Sequence, residues 1–181
     1  VPAYGGVLPD TVRSLILTYK ALEMAGHEVE VDLISGGSVL PKVRNEIVGR
    51  FWAAEEDFLV FLDSDMAWNP VDVVRLISQG EDVVCGNYRV KTEEDKWVCY
   101  LPPESEYPIV RAGLIKTMDA GTGFLAISRC VFEKLREAYP QLHYTDKDDN
   151  PMFCAFDFEL QGGKYWGEDY TFCKRWRDIG G

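Results

Sequence analysis

The chain has 181 residues, of which 46% are hydrophobic, enough to bury one core and suited to a single domain over residues 1–181. Its 19 basic and 30 acidic residues leave a net charge of −11, which argues against nucleic acid or an anionic membrane as the main partner. Five cysteines without a CxxC pair indicate neither a zinc knuckle nor a disulfide framework and favour a reducing, cytoplasmic compartment. No apolar stretch approaches the roughly 20 residues of a transmembrane helix.

Strands and helices alternate in the first part of the chain. The opening VPAYGG reads as the end of a strand, and Asp10 as the N-cap of a helix that stops at Gly26. Residues 28–34 alternate polar and apolar side chains, which is typical of a half-exposed strand. A second helical pattern over residues 40–51 leads to an apolar strand at 58–62.

The same alternation continues beyond that strand. Asn69 reads as the N-cap of a helix that begins at Pro70 and ends at Gly80, and residues 82–88 read as another buried strand. Strands that alternate with helices of this length imply right-handed crossovers between parallel strands. We therefore predict an α/β protein with a Rossmann-like, mainly parallel central sheet and helices on both faces.

The second part of the chain is less regular. Residues 91–108 lack periodicity and read as a long excursion or hairpin, after which residues 121–129 return to a strand and 131–139 to a short amphipathic helix. Residues 152–160 read as a further strand, and a last helix follows KYWGED. Because VPAYGG and RDIGG look like an interrupted strand and an interrupted helix, we expect a piece of a longer chain, truncated at its C-terminus.

The segment FLDSDM places two carboxylates, Asp63 and Asp65, directly after a buried strand. With 15 aspartates in the chain, one such D-x-D pair arises roughly once by chance, and turn chemistry explains the pair Asp146 and Asp148. The strand-end position favours function, because ligands of open α/β sheets bind at the carboxyl ends of strands. Carboxylates there suit Mg²⁺ or Mn²⁺. The alternative is that both aspartates cap the next helix or face water.

A second acidic pair, Glu168 and Asp169, opens the last helix in the sequence WGED. Gly167 would let the chain turn tightly there, and the helix dipole would lower the pKa of both carboxyl groups. Aromatic rings beside carboxylates, here Tyr165 and Trp166, suit sugar recognition. The alternative is ordinary acidic composition at a helix N-terminus.

Taken together, VPAYGG, VRNEIV, FLDSDM, AGTGFLAISRCVFEKL and YWGEDYTFCKRW resemble, in this order, the motifs of GT-A-fold glycosyltransferases, most closely the family-2-like group that uses nucleotide-diphosphate sugars. The resemblance covers nearly the whole chain. It implies a nucleotide-binding half at residues 1–90 and an acceptor and catalytic half at residues 109–181. It also implies that the nucleotide and donor are bound by Pro2, Tyr4, Arg44, Asn45, Asp63, Ser64 and Asp65.

By the same resemblance the protein is a hexosyltransferase that moves a sugar from a UDP- or GDP-linked donor to a glycan or another hydroxyl acceptor. Asp65, assisted by Asp63, would hold Mn²⁺ or Mg²⁺ on the departing diphosphate. Asp169 would be the base that takes the acceptor proton, which implies inversion at the anomeric carbon. The resemblance assigns sugar and acceptor contacts to Gly123, Trp166, Glu168 and Arg175.

Three alternatives remain open from the sequence. A nucleotidyltransferase would use the same nucleotide and metal, although GGVLPD lacks the basic residues of a phosphate loop before Arg13. A retaining transferase differs only in product stereochemistry. A non-catalytic carbohydrate- or metal-binding module would use the acids to hold a structural cation. The histidine that many relatives carry beyond the E-D helix has no counterpart before Gly181.

Overall fold

The computed structural model describes residues 1–92, 96–99, 109–111 and 113–181. Its helices are α1 Pro9–Met24, α2 Leu40–Ala53, α3 Pro70–Ser78, α4 Arg129–Ala138 and α5 Glu168–Asp178. Its strands are β1 Pro2–Ala3, β2 Ile34–Ser35, β3 Phe58–Leu62, β4 Val83–Cys85, β5 Ile109–Arg111, β6 Leu114–Ile115, β7 Phe124–Ser128, β8 His143–Thr145, β9 Pro151–Phe153, β10 Glu159–Gln161 and β11 Lys164–Trp166.

The prediction of a mainly parallel, Rossmann-like central sheet is wrong. The three-stranded sheet has the order β3-β7-β4, and β7 pairs antiparallel with both of its neighbours. Two-stranded sheets form the rest of the described strand pairing, and in them only β1 with β2 is parallel. The helical connection from β3 to β4 gives no sign of β7, which follows both strands in the chain and lies between them in the sheet.

Alternate residues of β7 face two hydrophobic clusters. Leu125 and Ile127 pack into one cluster with side chains from α2, α4 and α5. Phe124 and Ala126 pack into the other with side chains from α1 and α3. This alternation is the period of two expected of a strand whose faces are both covered, so the central sheet has helices on both sides.

The helix starts and strand bounds agree only in part with the local predictions. Asn69 caps α3 as expected, since its side-chain Oδ1 accepts a hydrogen bond of 3.2 Å from the Val71 N–H. Asp10 is not an N-cap, because α1 begins at Pro9 and its cap residue is Leu8. Of the predicted strand at 28–34, only its last residue lies in β2.

The predicted strand at 152–160 is two separate strands, β9 and β10, each in its own hairpin. Within the predicted excursion at 91–108, residues 93–95 and 100–108 lie outside the described residues. No helix in the described part of the chain is both long and apolar enough to cross a membrane.

Candidate functional site

The carboxyl end of β3 meets the amino end of β7 at one edge of the central sheet. The Asp63 N–H donates a 3.0 Å hydrogen bond to the Gly123 carbonyl. The Gly123 N–H donates in turn to the Tyr88 hydroxyl, at 2.9 Å, from the segment that follows β4. The three central strands therefore bring Asp63, Gly123 and Tyr88 together.

Helix α1 holds the loop that contains the D-x-D motif. The Thr11 hydroxyl shares its one proton between the carbonyls of Ser64, at 3.0 Å, and Met66, at 2.6 Å. Further along, the Trp68 indole N–H donates to the Thr18 hydroxyl at 2.8 Å. Because Thr11 is fully buried, its two bonds fix the backbone on both sides of Asp65.

The buried face of α1 is mainly polar, although apolar residues repeat at helical spacing in its sequence. Thr11, Ser14 and Thr18 are buried, with Leu22 completing the row. Of the apolar residues that repeat at helical spacing in the sequence, Val12, Ile16 and Tyr19 are exposed, whereas Leu15 is half-buried. Hydroxyls at positions i, i+3 and i+7 are the signal in the sequence for the polar part of the buried face.

Arg44, on α2, joins the two acidic pairs. Its Nε lies 3.2 Å from Glu168 Oε1, and its Nη2 lies 3.5 Å from Asp63 Oδ1. The Arg44 side chain is only 3% exposed, and that of Glu168 is 10% exposed. Its guanidinium also lies over the Phe61 ring, 5.4 Å from the centroid. A cation buried to this degree needs its partners, since an unpaired buried charge costs several kcal/mol.

One guanidinium nitrogen of Arg44 is unpaired among the described residues. Nη1 is buried and has no hydrogen-bond partner among the described residues. Buried donors are nearly always satisfied, and exceptions in native proteins call for an explanation such as an ion or ligand. A phosphate or carboxylate oxygen is the partner that guanidinium geometry favours.

The expected lowering of the Asp169 pKa is wrong. Burial, followed by repulsion from Glu168, raises the pKa of Asp169 to about 6, and these effects outweigh the Tyr170 N–H and the Arg44 guanidinium, both of which lower it. The Tyr170 N–H donates to Asp169 Oδ1 at 2.9 Å. Asp169 is therefore an oriented carboxylate with a pKa near the range in which a general base works best.

Burial also raises the pKa of Asp63, and the negative charge of Asp65 adds to that shift, while Arg44 and Lys91 oppose it. The pKa of Tyr88 is raised as well, chiefly by burial and then by the charge of Asp63. Burial is the largest cause of the raised pKa values of Asp63, Tyr88 and Asp169, and a neighbouring carboxylate adds to each shift.

Asp63 and Asp65 suit a hard divalent cation in their chemistry. Their side chains are 34% and 48% exposed, and each is ion-paired through one carboxylate oxygen, Oδ1 of Asp63 with Arg44 and Oδ2 of Asp65 with Lys91. Over the described residues, no group of three or more His, Cys, Asp or Glu side chains is placed to hold a metal. A cation here would need water and ligand oxygens to complete its shell, which is the usual behaviour of Mg²⁺.

Two glycines allow side chains to approach the backbone. A Cβ added to Gly123 would lie 2.7 Å from Asp63 Oδ2, so the close approach expected at Gly123 is made by a side chain of the same site. A Cβ added to Gly167 would lie 2.9 Å from Asp169 Oδ1. The φ of Gly167 is −68°, an ordinary value, so space for the carboxylate and not an unusual turn explains this glycine.

Two predicted site residues are occupied by structural contacts. The Asn45 amide donates from Nδ2 to the Phe156 carbonyl at 2.8 Å and accepts at Oδ1 from the Phe156 N–H at 2.9 Å. The Arg175 guanidinium donates from Nη1 to the carbonyls of Cys154, at 2.8 Å, and Ala155, at 3.2 Å. Neither side chain has a contact with the acidic pairs among the described residues, and their predicted ligand roles stay predictions.

The remaining predicted residues differ in burial and in their neighbours. Pro2 is buried in β1 beside Ile34, whereas Tyr4 is 75% exposed. Ser64 contributes its backbone carbonyl to α1. Trp166 ends β11 with its ring centroid 6.3 Å from that of Tyr170, on the strand that leads into Glu168.

Two residues of the site were missed by sequence reasoning. The sequence pattern indicates only that Tyr88 lies at the end of a strand, but its hydroxyl accepts a hydrogen bond from the Gly123 N–H. The same pattern indicates only that Lys91 opens an irregular excursion, but its ammonium group pairs with Asp65. A hydroxyl at the end of a predicted strand is only a weak indication that Tyr88 belongs to the site. Nothing in the local sequence indicates the partner of Lys91.

No protein-family model matches the sequence, and neither does any curated protein. Among solved structures, the fold is similar to that in the crystal structure of A197, a viral protein from STIV, with a TM-score of 0.54 and 21% sequence identity. The similarity covers 97% of this chain and 75% of A197. At this level of identity the two proteins share a fold, and no activity is transferred from one to the other.

Proposed function

We propose that the protein is a metal-dependent glycosyltransferase that moves a sugar from a nucleotide-diphosphate sugar to an acceptor hydroxyl. The observation that carries the proposal is the position of Arg44 between Asp63 and Glu168. Asp63 belongs to the acidic pair suited to a cation and a diphosphate, and Glu168 belongs to the pair suited to an acceptor. A transfer reaction needs both sets of groups within the length of one substrate.

The two acidic pairs differ in environment, which supports different roles. Asp63 and Asp65 are at a partly open sheet edge, where a cation bound to their carboxylates would neutralise the charge of the leaving diphosphate as a Lewis acid. Glu168 is buried against Arg44, and Asp169 is half-buried with a pKa raised to about 6. Carboxyl groups in environments this different commonly divide the acid, base and binding roles.

In this proposal each side chain has one task. Asp169 accepts the proton of the acceptor hydroxyl while that oxygen attacks the anomeric carbon, and its bond from the Tyr170 N–H orients the carboxylate. Arg44 binds Oε1 of Glu168, and the second oxygen of Glu168 is left for an acceptor or donor hydroxyl. Direct attack assisted by a base implies inversion of the anomeric centre.

Isothermal titration of UDP and GDP, with and without Mn²⁺, tests the binding half of the proposal. We expect one nucleotide to bind at least tenfold more tightly with the metal, and Asp65→Asn to remove that difference. The matched control is Asp72→Asn, an exposed aspartate in the first turn of α3 whose change should leave the metal effect intact. Equal binding with and without Mn²⁺ contradicts the proposal.

Two further outcomes would identify a different function. Release of pyrophosphate from a nucleoside triphosphate would indicate a nucleotidyltransferase. Metal-dependent binding of sugars without hydrolysis or transfer of any nucleotide sugar would indicate a non-catalytic module. Transfer that Asp169→Asn abolishes, while the variant still binds the nucleotide, supports the transferase.

A further inference from the structure

Two thiols lie against each other beside the candidate site. Cys85 is the last residue of β4, and its Sγ is 3.4 Å from Sγ of Cys99. Both side chains are partly buried, and the Cys99 N–H donates to the Asn87 side-chain oxygen at 3.3 Å. These contacts hold Cys99 close to the end of β4 although 13 residues separate the two cysteines in the chain.

Residues 86–92 and 96–98, which lie between the thiols, reach the first acidic pair. Arg89 and Trp97 form an antiparallel bridge, and the Val98 N–H donates to the Tyr88 carbonyl at 3.0 Å. We call residues 88–92 and 96–98, which this pairing joins, the site hairpin. It carries the Tyr88 hydroxyl to Gly123 and the Lys91 ammonium group to Asp65. A covalent bond between Cys85 and Cys99 would close the base of this hairpin.

We propose that Cys85 and Cys99 form a reversible disulfide by exchange with a small-molecule disulfide, and that this bond fastens the site hairpin to the central sheet. A disulfide has a sulfur separation of about 2.0 Å, so the two sulfurs have to approach each other by roughly 1.4 Å. Because Cys99 lies outside regular strand structure, side-chain rotation and a small loop shift can supply that movement.

Formation of the disulfide oxidises the two cysteine thiols and reduces one molecule of the small-molecule disulfide, RSSR. The Cys99 thiolate attacks one sulfur of the reagent RSSR, RS⁻ leaves, and a mixed disulfide remains on Cys99. The Cys85 sulfur, after losing its proton, attacks Sγ of Cys99 and releases the second RS⁻. The two protons of the cysteines pass to the two RS⁻ groups, so one RSSR is reduced to two RSH.

The order of attack follows from the hydrogen bond between the thiols. The hydrogen bond between the thiols, in which either sulfur can donate, lowers the pKa of Cys99, and the same bond, together with burial, raises the pKa of Cys85. A thiol that forms its thiolate more readily is the better first nucleophile near neutral pH. Cys99 therefore reacts with the reagent, and Cys85 resolves the intermediate.

The other three cysteines have different partners. Cys130 donates to Asp82 Oδ1 at 2.9 Å, Cys154 contacts the Asn45 amide, and Cys173 is buried with its thiol near the Ala120 carbonyl. All five cysteines lie in the described part of the chain, and there no other two thiols are hydrogen-bonded to each other. The proximity of Cys85 and Cys99 is thus specific.

The test is incubation of the unmodified protein with glutathione disulfide, followed by alkylation in denaturant and peptide mapping. We expect a mass lower by about 2 Da before alkylation, corresponding to two lost hydrogens, and one cross-linked peptide pair containing Cys85 and Cys99. Dithiothreitol should restore two alkylated thiols. Full alkylation after oxidation, a lasting glutathione adduct, or a cross-link to another cysteine overturns the proposal.

Single variants provide the matched controls. Cys85→Ser and Cys99→Ser should each lose the cross-link, whereas Cys130→Ser should keep it. Amide hydrogen exchange then tests the second part of the proposal, because the Val90 and Val98 amides of the site hairpin should exchange at least several-fold more slowly in the oxidised protein. Unchanged exchange overturns the fastening of the hairpin, and neither measurement depends on transferase activity.

Discussion

The Nε of Arg44 lies 3.2 Å from Oε1 of Glu168, although the two residues are 124 positions apart in the chain. The same guanidinium reaches Asp63 at the end of β3. Helix α2, the central sheet and helix α5 are thus tied at one buried cation. This connection makes the acidic groups of the site one electrostatic unit, in which a change at one member alters the others.

Replacing Arg44 with methionine should destabilise the protein strongly. The variant keeps much of the apolar side-chain volume but leaves Glu168 buried without its cation, and breaking such a pair costs about 3 kcal/mol or more. Urea unfolding at pH 7 measures the loss.

The control on the same helix is Lys42→Met. Lys42 and Glu46 form an exposed pair at 4.0 Å, with side chains 73% and 40% exposed, and such pairs contribute at most about 1 kcal/mol. If both variants lose a similar amount of stability, Arg44 is not a buried electrostatic link.

Asp169→Asn should change how stability depends on pH. The folded protein keeps the Asp169 proton up to a pH of about 6, whereas the unfolded chain releases it near 3.8, so folding becomes less favourable as pH rises through this window. The difference corresponds to at most about 3 kcal/mol. The asparagine variant, which carries no charge, should gain stability relative to the parent between pH 4 and pH 7.

Chemical unfolding at pH 4, 5, 6 and 7 measures this gain. Asp148→Asn, in the exposed loop before β9, serves as the control for loss of an aspartate. A stability difference between parent and Asp169→Asn that is constant over the whole range would mean that Asp169 does not titrate near 6. In the proposed reaction, the rate of the parent protein should rise with pH through the same value.

Gly167→Ala should move the Asp169 carboxylate without unfolding the protein. The added Cβ would lie 2.9 Å from Asp169 Oδ1, so the side chain has to rotate and loses its bond from the Tyr170 N–H. A misplacement of about 1 Å in a catalytic group costs on the order of 100-fold in rate. We expect a 10- to 100-fold slower transfer with stability changed by about 1 kcal/mol at most.

Steady-state kinetics and urea unfolding of the Gly167→Ala variant separate the two effects. A large loss of stability at an unchanged rate would show that the glycine serves the fold. It would also show that the space beside Asp169 is unimportant for its chemistry.

Thr11→Val should weaken the loop that contains Asp65. The change keeps the shape of the side chain but removes the hydroxyl that donates to the Ser64 and Met66 carbonyls, and a lost buried hydrogen bond costs about 1–3 kcal/mol. Thermal unfolding measures the stability, and titration with Mn²⁺ measures whether the loop still presents its carboxylates. We expect both the unfolding temperature and the affinity for Mn²⁺ to fall.

Ser78→Ala is the comparison for Thr11→Val. The Ser78 hydroxyl donates at 2.7 Å to the Val74 carbonyl within α3 and is exposed, so its removal should change stability by less than about 0.5 kcal/mol. Equal losses of stability in the two variants would contradict the role of α1 in supporting the loop that contains Asp65.

Local patterns in the sequence determined much of the secondary structure. The apolar run before Asp63 is a strand, Asn69 caps a helix that begins at Pro70, and Glu168 and Asp169 open the last helix. These features depend on neighbouring residues, through strand alternation, capping hydrogen bonds and helix-start chemistry. Such interactions are encoded within a few positions, and the sequence therefore reveals them.

Sheet topology and the partners of the site were decided by the tertiary structure. The insertion of β7 between β3 and β4 depends on long-range pairing, and the alternation of strands with helices pointed to the wrong arrangement. The same insertion brings Gly123 against Asp63. Burial then reverses the expected direction of the Asp169 pKa, because desolvation depends on what surrounds a group in space.

The sequence by itself thus determined which acidic residues end a strand and begin a helix, since those positions follow from local periodicity. The tertiary structure alone decided that Arg44 joins them, that Tyr88 and Lys91 lie beside them, and that the thiols of Cys85 and Cys99 meet. Contacts between residues far apart in the chain arise only when the whole core is packed, and no local pattern records them.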